Sequence, residues 1–426
     1  MRRLLPLLVL PPLLWAAPAS ALPGTGCPAF PADNVWHADV SKLPVHARSA
    51  AWVGSAGGAT KRLHPDFGPS GDPNVPYGIP FQVVPSSHAK VTVAFDYADE
   101  SDPGPYPLGP DTPIEGGVGS GGDMHTVVVD TGTCRLYETW YTQHTASGWT
   151  AGSGATWDLR SNALRPAGWT SADAAGLPVL PGLLRLDEVQ AGHVDHAVRF
   201  TVQRTDRSYL WPARHQAGAA NDANLPPMGA RFRLKASYSV AGLRSDTQVV
   251  LNAMKTYGLL LADNGSDWYF QGDARDAWPT ALLDQLKAVP ASAFEAVDES
   301  SLMVSPDSAQ VKGAPAPRWT HWAPPPSTPP ATIPATPPAR RRRPVATRTA
   351  TPAAPPAPRV TRSPRAAATA PPAAAAPSSA PPETGAAAPL ADVPRHRPAR
   401  LPWPLPAAAV TVVAALWTAT ARRRRA

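Results

Sequence analysis

Short runs in which apolar and polar positions alternate recur along the first three hundred residues, and their period predicts a β-rich fold. Residues 80–84, 90–95, 125–130 and 135–141 are rich in β-branched and aromatic side chains. Such runs read as strands when turn residues bound them. The third and fourth are separated by Thr131, Gly132 and Thr133 and predict one hairpin. Alternation returns at 193–203, 208–211 and 230–237. Residues 258–262 and 268–271 flank Asp263, Asn264 and Gly265, an Asx-type turn. Helical period is found twice. At 245–257, Val249, Leu251, Met254 and Tyr257 lie on one side and Gly258 stops the helix. At 279–289 a proline entry precedes Leu282, Leu283 and Leu286. Many strands at short spacing with few helices predict a mainly β fold, a sandwich or jelly roll with helical additions.

Composition divides the chain. Residues 1–21 carry Arg2 and Arg3, a leucine-rich stretch and Ala19-Ser20-Ala21, the pattern of a secretory signal peptide. Residues 22–313 form the globular candidate. From 314 to 400, Pro, Ala, Thr, Ser and Arg dominate, which predicts a disordered, extended stalk. Residues 401–421 are apolar and long enough to cross a bilayer, and Arg422–Arg425 follow at once within the 422–426 tail. A basic tail stays cytoplasmic, so this layout places the globular part outside. Pro381-Pro382-Glu383-Thr384-Gly385 resembles the LPxTG signal of sortase substrates, with proline in place of leucine. The expectation is an exported protein anchored to membrane or cell wall.

Charge follows the same division. The chain carries +7 overall. Its last 113 residues hold 16 Arg and no Lys against two acids, so residues 1–313 carry 23 basic and 30 acidic groups. An acidic globular part excludes a phosphate-binding surface, and with it nucleic acid as a partner. The only cysteines, Cys27 and Cys134, are expected to pair in an oxidising compartment.

The chemistry gathers around the hairpin. Glu115, Asp123, His125 and Glu138 lie in or beside it, after glycines at 116, 117, 119, 121 and 122. Glycosidic hydrolysis needs two carboxyl groups, one protonated and one ionised. A lyase needs a base beside a carboxylate that something neutralises. Either reaction could be served by these residues, with Asp173 joining from the Pro- and Gly-rich run at 165–182. Whether His125 and Glu138 share a face depends on hairpin register, which a slip of one residue reverses. Trp149, Trp157 and Trp169 could stack on sugar rings, and Arg214 and His215 could bind a glycan. Asp99, Glu100 and Asp102 repel one another, and Ca²⁺ would relieve that. No zinc motif is present, and His193 and His196, three apart on a strand, point to opposite faces.

Seven motifs recur in a fixed order: Glu115-Gly-Gly, Gly-Asp123-x-His125, Leu136-Tyr-Glu138, the 165–178 run, Trp211-Pro-Ala-Arg-His215, the 227–235 run and Ala262-Asp-Asn-Gly-Ser266. Over about residues 30–300 the chain therefore resembles a family of secreted bacterial proteins well represented among actinomycetes. The resemblance implies secretion and a single domain type, and assigns no catalyst. The leading expectation is a surface-anchored protein acting on an extracellular or cell-wall polysaccharide, as hydrolase or lyase. Its rivals are a non-catalytic glycan-binding module and a structural envelope protein.

Overall fold

Helix α1 (Ser49–Ser55) precedes strands β1 (His64–Pro65), β2 (Gln82–Val84) and β3 (Val93–Phe95). The hairpin β4 (Thr126–Asp130) and β5 (Arg135–Trp140) follows, then β6 (Gln143–Thr145), β7 (Gly148–Ala151) and β8 (Ser153–Asp158). Helix α2 (Leu186–Ala191), strands β9 (Val198–Val202) and β10 (Arg231–Leu234), and helix α3 (Ser245–Thr256) come next. Strands β11 (Leu259–Asn264) and β12 (Tyr269–Phe270), helix α4 (Thr280–Lys287) and strand β13 (Phe294–Val297) complete the order. The computed structural model describes residues 21–313, all within one compact unit. The signal peptide through residue 20, the 314–400 stalk, the 401–421 span and the basic tail lie outside the described residues. Among the described residues no helix is long and apolar enough to cross a membrane.

The fold is mainly β, in three sheets ordered β1-β12-β9-β11-β10-β13, β2-β4-β5-β8 and β3-β7-β6. The pairs β1/β12, β9/β11, β2/β4 and β3/β7 are parallel, and the other pairs are antiparallel. Every residue of β4 is buried, because the four-stranded sheet is covered on both faces. Side chains alternate between two cores with the period of two that a strand imposes. Val127, Val129, Leu136, Ala155 and Trp157 enter the large core. Val128 and Tyr137 enter a smaller one with Val84, Val93, Tyr106 and Trp149. The large core centres on Phe200, Phe232, Trp268 and Phe294, whose ring centroids lie 5.2–5.6 Å apart in successive contacts.

The hairpin forms as its pattern predicts, with Val127 opposite Glu138 and Val129 opposite Leu136. Asp130 closes the turn by accepting the Gly132 and Thr133 amides at 3.1 and 3.3 Å. Cys134 takes a left-handed φ of 51° and forms the expected disulfide with Cys27. Helix α3 buries Val250, Leu251, Ala253 and Met254, while Val249 is only half-buried. Its chain leaves through Gly258 at φ +75°, where an added Cβ would stand 2.3 Å from the Phe232 carbonyl oxygen. Only glycine fits there.

Three expectations change. Residues 208–211 form no strand, only an isolated pairing of Tyr209 with Met228. Pro212, Pro226 and Pro227 supply no amide donors, so a ladder cannot extend. Strand β11 runs through Asp263 and Asn264, so the predicted turn starts later, at Ser266, which accepts the Tyr269 amide. Strand β8 hides in a run of small residues, Ser153-Gly-Ala-Thr156, where Gly154 leaves room for the Phe95 ring.

Candidate active site

His125 stands one residue before β4, opposite Trp140 in the extended register and on the same face as Val127 and Glu138. That settles the parity question, yet the two side chains meet different partners. The His125 ring is 2% exposed. Its Nδ1 lies 2.5 Å from Glu115 Oε2 and its Nε2 lies 2.9 Å from the Ala172 carbonyl oxygen. Both partners accept, so both ring nitrogens donate and the ring is an imidazolium. Burial pulls its pKa down, but the Glu115 carboxylate prevails and holds it at about 9. The Glu115 amide also donates to the His125 carbonyl at 3.0 Å, closing the glycine-rich loop between them. Asp123, on that loop, is exposed and accepts the Trp140 indole N–H at 3.2 Å.

A second buried cation is Arg199. Arg199 sits in β9 between apolar neighbours and is 2% exposed. It donates to both oxygens of Asp173, Nε at 2.9 Å and Nη2 at 2.7 Å, a bidentate pair. Asp173 is itself buried, on the loop that carries residues 165–182. The same Nη2 is 3.9 Å from Asp263 Oδ2 on the neighbouring strand. The β9/β11 ladder shifts register between Leu261 and Asp263, so Asp263 pairs with Thr201 while Leu261 pairs with Phe200. This bulge puts Asp263 on the Arg199 face; an unbroken ladder would turn it away.

Asp66 follows β1 and completes the group. Its carboxyl is pushed up to about 6, first by burial and then by the nearby Glu115 carboxylate. Asp263 is raised well above the usual carboxylate range, by burial and then by Asp173 and Asp123. Arg199 stays protonated, since Asp173 and Asp263 outweigh its desolvation. Asp66, Glu115, Asp123, His125, Asp173, Arg199 and Asp263 thus form one interacting group drawn from distant parts of the chain. Asp66 and Asp263 hold protons beyond the ordinary carboxylate range. Glu115 and Asp173 each bind a cation.

Other expected site residues serve the scaffold. Glu138 is fully buried. It accepts the Val179 and Leu180 amides at 3.0 and 2.8 Å and the Trp157 indole N–H at 3.1 Å. Burial raises it to about 7 while those donors pull the other way. It fastens the 179–180 turn to the hairpin and is closed to a substrate. Trp149 and Trp157, 8% and 4% exposed, are packed into the cores and show no free ring to a sugar. Trp169 is half-buried, with the Arg165 guanidinium 5.5 Å from its ring centre. Arg214 is buried and donates to the Arg165 and Pro306 carbonyls and to Asp307. His215 Nδ1 lies 2.8 Å from the Ala174 carbonyl oxygen. Among the acids expected to attract calcium, Asp102 binds Arg165 at 2.6 Å and Glu100 accepts the Thr170 amide at 3.0 Å. Among the described residues no three His, Cys, Asp or Glu side chains come together so as to hold a metal ion. His196 Nε2 is 2.9 Å from Glu188, a buried structural pair.

The structure adds Asp66, Arg199 and Asp263 to the sequence-derived group. Arg199 had a signal: one charge inside the apolar run Val198-Arg-Phe-Thr-Val202 must find a buried partner. Asp263, just past the apolar run Leu259–Ala262, had a weaker one. No family model, curated protein or solved structure matches the chain.

Proposed function

We propose that this protein is an extracellular glycoside hydrolase acting on a polysaccharide, with Asp263 as general acid and Asp123 as the open carboxylate. The observation that carries the reading is the carboxyl group cluster around two buried cations, in which burial raises the proton affinity of Asp263 while Asp123 faces solvent. Hydrolysis needs that asymmetry between two carboxyl groups. Asp263 would give its proton to the glycosidic oxygen as the anomeric C–O bond breaks. Water would add to the anomeric carbon, and its proton would pass to Asp123. Glu115 and His125 hold the loop that carries Asp123, and Arg199 with Asp173 fixes the environment of Asp263.

A lyase reading has less support. Elimination from a uronate needs a cation on the substrate carboxylate. Here His125 and Arg199 already bind Glu115 and Asp173. The Cys27–Cys134 bond supports an oxidising location, and the sequence supports export, a wall glycan as partner, and tethering through residues 401–421 or by sortase at 381–385. We read the scaffold as sandwich-like, with the four-stranded sheet between two cores.

The test is release of reducing ends by the full chain from a panel of microbial and plant polysaccharides. Asp263→Asn is expected to lower the rate by about 10²–10⁴-fold, the usual share of a general acid. Product formed equally by Asp263→Asn, or no product on any polymer, refutes the reading.

A further inference from the structure

Beside Asp123 the hairpin carries an aromatic group that the cleavage chemistry does not use. Tyr97 and Tyr141 are 49% and 41% exposed. Trp140, half-buried, lies between them, with centroid separations of 6.5 Å to Tyr97 and 5.7 Å to Tyr141. The rings incline by 40° and 39°, so they make a shallow cradle rather than one flat wall. Soluble proteins leave single aromatics exposed, but a contiguous group next to a polar cluster marks a binding surface.

The group is built into the fold. Gly152 lies under Trp140, and a Cβ there would come within 2.3 Å of the indole. The Tyr97 amide donates to the Gly152 carbonyl at 2.9 Å, and the Gly152 amide donates to Trp140 at 2.8 Å. Tyr141 holds a left-handed φ of 55°, uncommon for a residue with a side chain. It persists because the Tyr141 amide donates to Asp123 and the Thr142 amide to Met124, at 2.7 and 3.1 Å. The same bonds tie the ring to the loop that carries Asp123.

We propose that Tyr97, Trp140 and Tyr141 form a sugar subsite beside Asp123 that takes a neutral or amine-bearing hexose of a polysaccharide. Its place next to the cleaved bond rests on the hydrolase reading above. Aromatic faces suit the C–H-rich side of a pyranose, and the Trp140–Asp123 hydrogen bond joins the cradle to the carboxyl cluster. The charge nearby selects among sugars. Asp123 is bonded to the cradle, Asp96 and Asp99 are exposed on the segment that carries Tyr97, and uronic acids would be repelled. A hydroxyl or ammonium group would be accepted.

The experiment is calorimetric titration of the full chain, in an Asp263→Asn background that leaves the ligand intact. The probes are cellohexaose, chitohexaose, its deacetylated form and hexagalacturonate. At least one of the first three should bind, and hexagalacturonate should not. Tyr97→Ala and Tyr141→Ala should each weaken binding about three- to tenfold, while Tyr141→Phe keeps it. Equal binding in the alanine variants, no binding by the first three probes, or tighter binding of the uronate overturns the subsite. Cleavage by the parent chain is measured separately. Tyrosine-dependent binding without cleavage keeps the subsite and removes the hydrolase. Cleavage indifferent to both tyrosines does the reverse.

Discussion

Replacing Glu115 by Gln removes the charge that keeps the His125 imidazolium inside the protein. The ring is 2% exposed, and Glu115 is 24% exposed, so solvent screens the pair little. His125 is held at about 9 against an ordinary value of 6.5, even though burial acts in the opposite sense. A pKa raised on folding adds stability that is complete below pH 6.5 and is lost as pH rises through about 9. At about 1.4 kcal/mol per pH unit, the contribution is on the order of 3 kcal/mol. Without the carboxylate, burial governs the ring and its pKa drops, so the variant loses that share at low pH. The assay is urea unfolding of parent and Glu115→Gln at pH 6 and pH 9.5. The stability difference should be about 3 kcal/mol at pH 6 and shrink towards zero at pH 9.5. Titration of the His125 ring by NMR should show its midpoint falling in the variant. A difference no larger at pH 6 than at pH 9.5 would refute the ion-pair account.

Three further outcomes follow from the same contacts. Arg199→Met leaves Asp173 buried without its cation and should cost about 3–5 kcal/mol. The stranded carboxyl then binds a proton more readily folded than unfolded, so chemical denaturation should show a larger loss at pH 8 than at pH 5. Replacing Cys27 and Cys134 together by Ser opens a 107-residue loop and should cost about 2–5 kcal/mol in thermal or urea unfolding. Gly152→Ala should displace the Trp140 indole, which near-ultraviolet circular dichroism would detect, and weaken glycan binding while the NMR midpoint of the His125 ring stays where it is in the parent.

The hairpin could be read from sequence because its pattern is local. Val127 and Val129 against Leu136 and Glu138 have one consistent register around a three-residue turn. The cysteine pairing was equally plain, since two cysteines allow one bond. What the sequence withheld is set by contacts between distant segments. Arg199 and Asp263 come from two strands of the six-stranded sheet and Asp66 follows a third, and no spacing rule joins them. The bulge that aims Asp263 at Arg199 has no marker among Leu261, Ala262 and Asp263. Trp149 and Trp157 resembled a sugar platform because a tryptophan looks the same in a core or on a surface. Trp140, in the expected strand, is the indole of the proposed subsite instead, and its packing over Gly152 is set by a contact the sequence does not mark.

Charge balance explains why burial raises the proton affinity of some of these carboxyl groups. Asp66, Glu115, Asp123, Asp173 and Asp263 interact with one another around only two cations, His125 and Arg199. With all five ionised the group would carry −3, which a partly buried cluster tolerates poorly. Glu115 takes the imidazolium and Asp173 takes the guanidinium, each within 2.7 Å. Asp123 points into solvent, where a charge is well hydrated. Asp263 has only the 3.9 Å approach of an Arg199 already bonded to Asp173, and Asp66 is largely buried, and burial raises the proton affinity of both. Removing a neighbouring charge should lower that affinity: Asp173→Asn takes away the carboxylate that, after burial, raises Asp263 most, and leaves Arg199 free to compensate it. Glycan cleavage that persisted with an unchanged pH profile in that variant would show that Asp263 does not supply the proton.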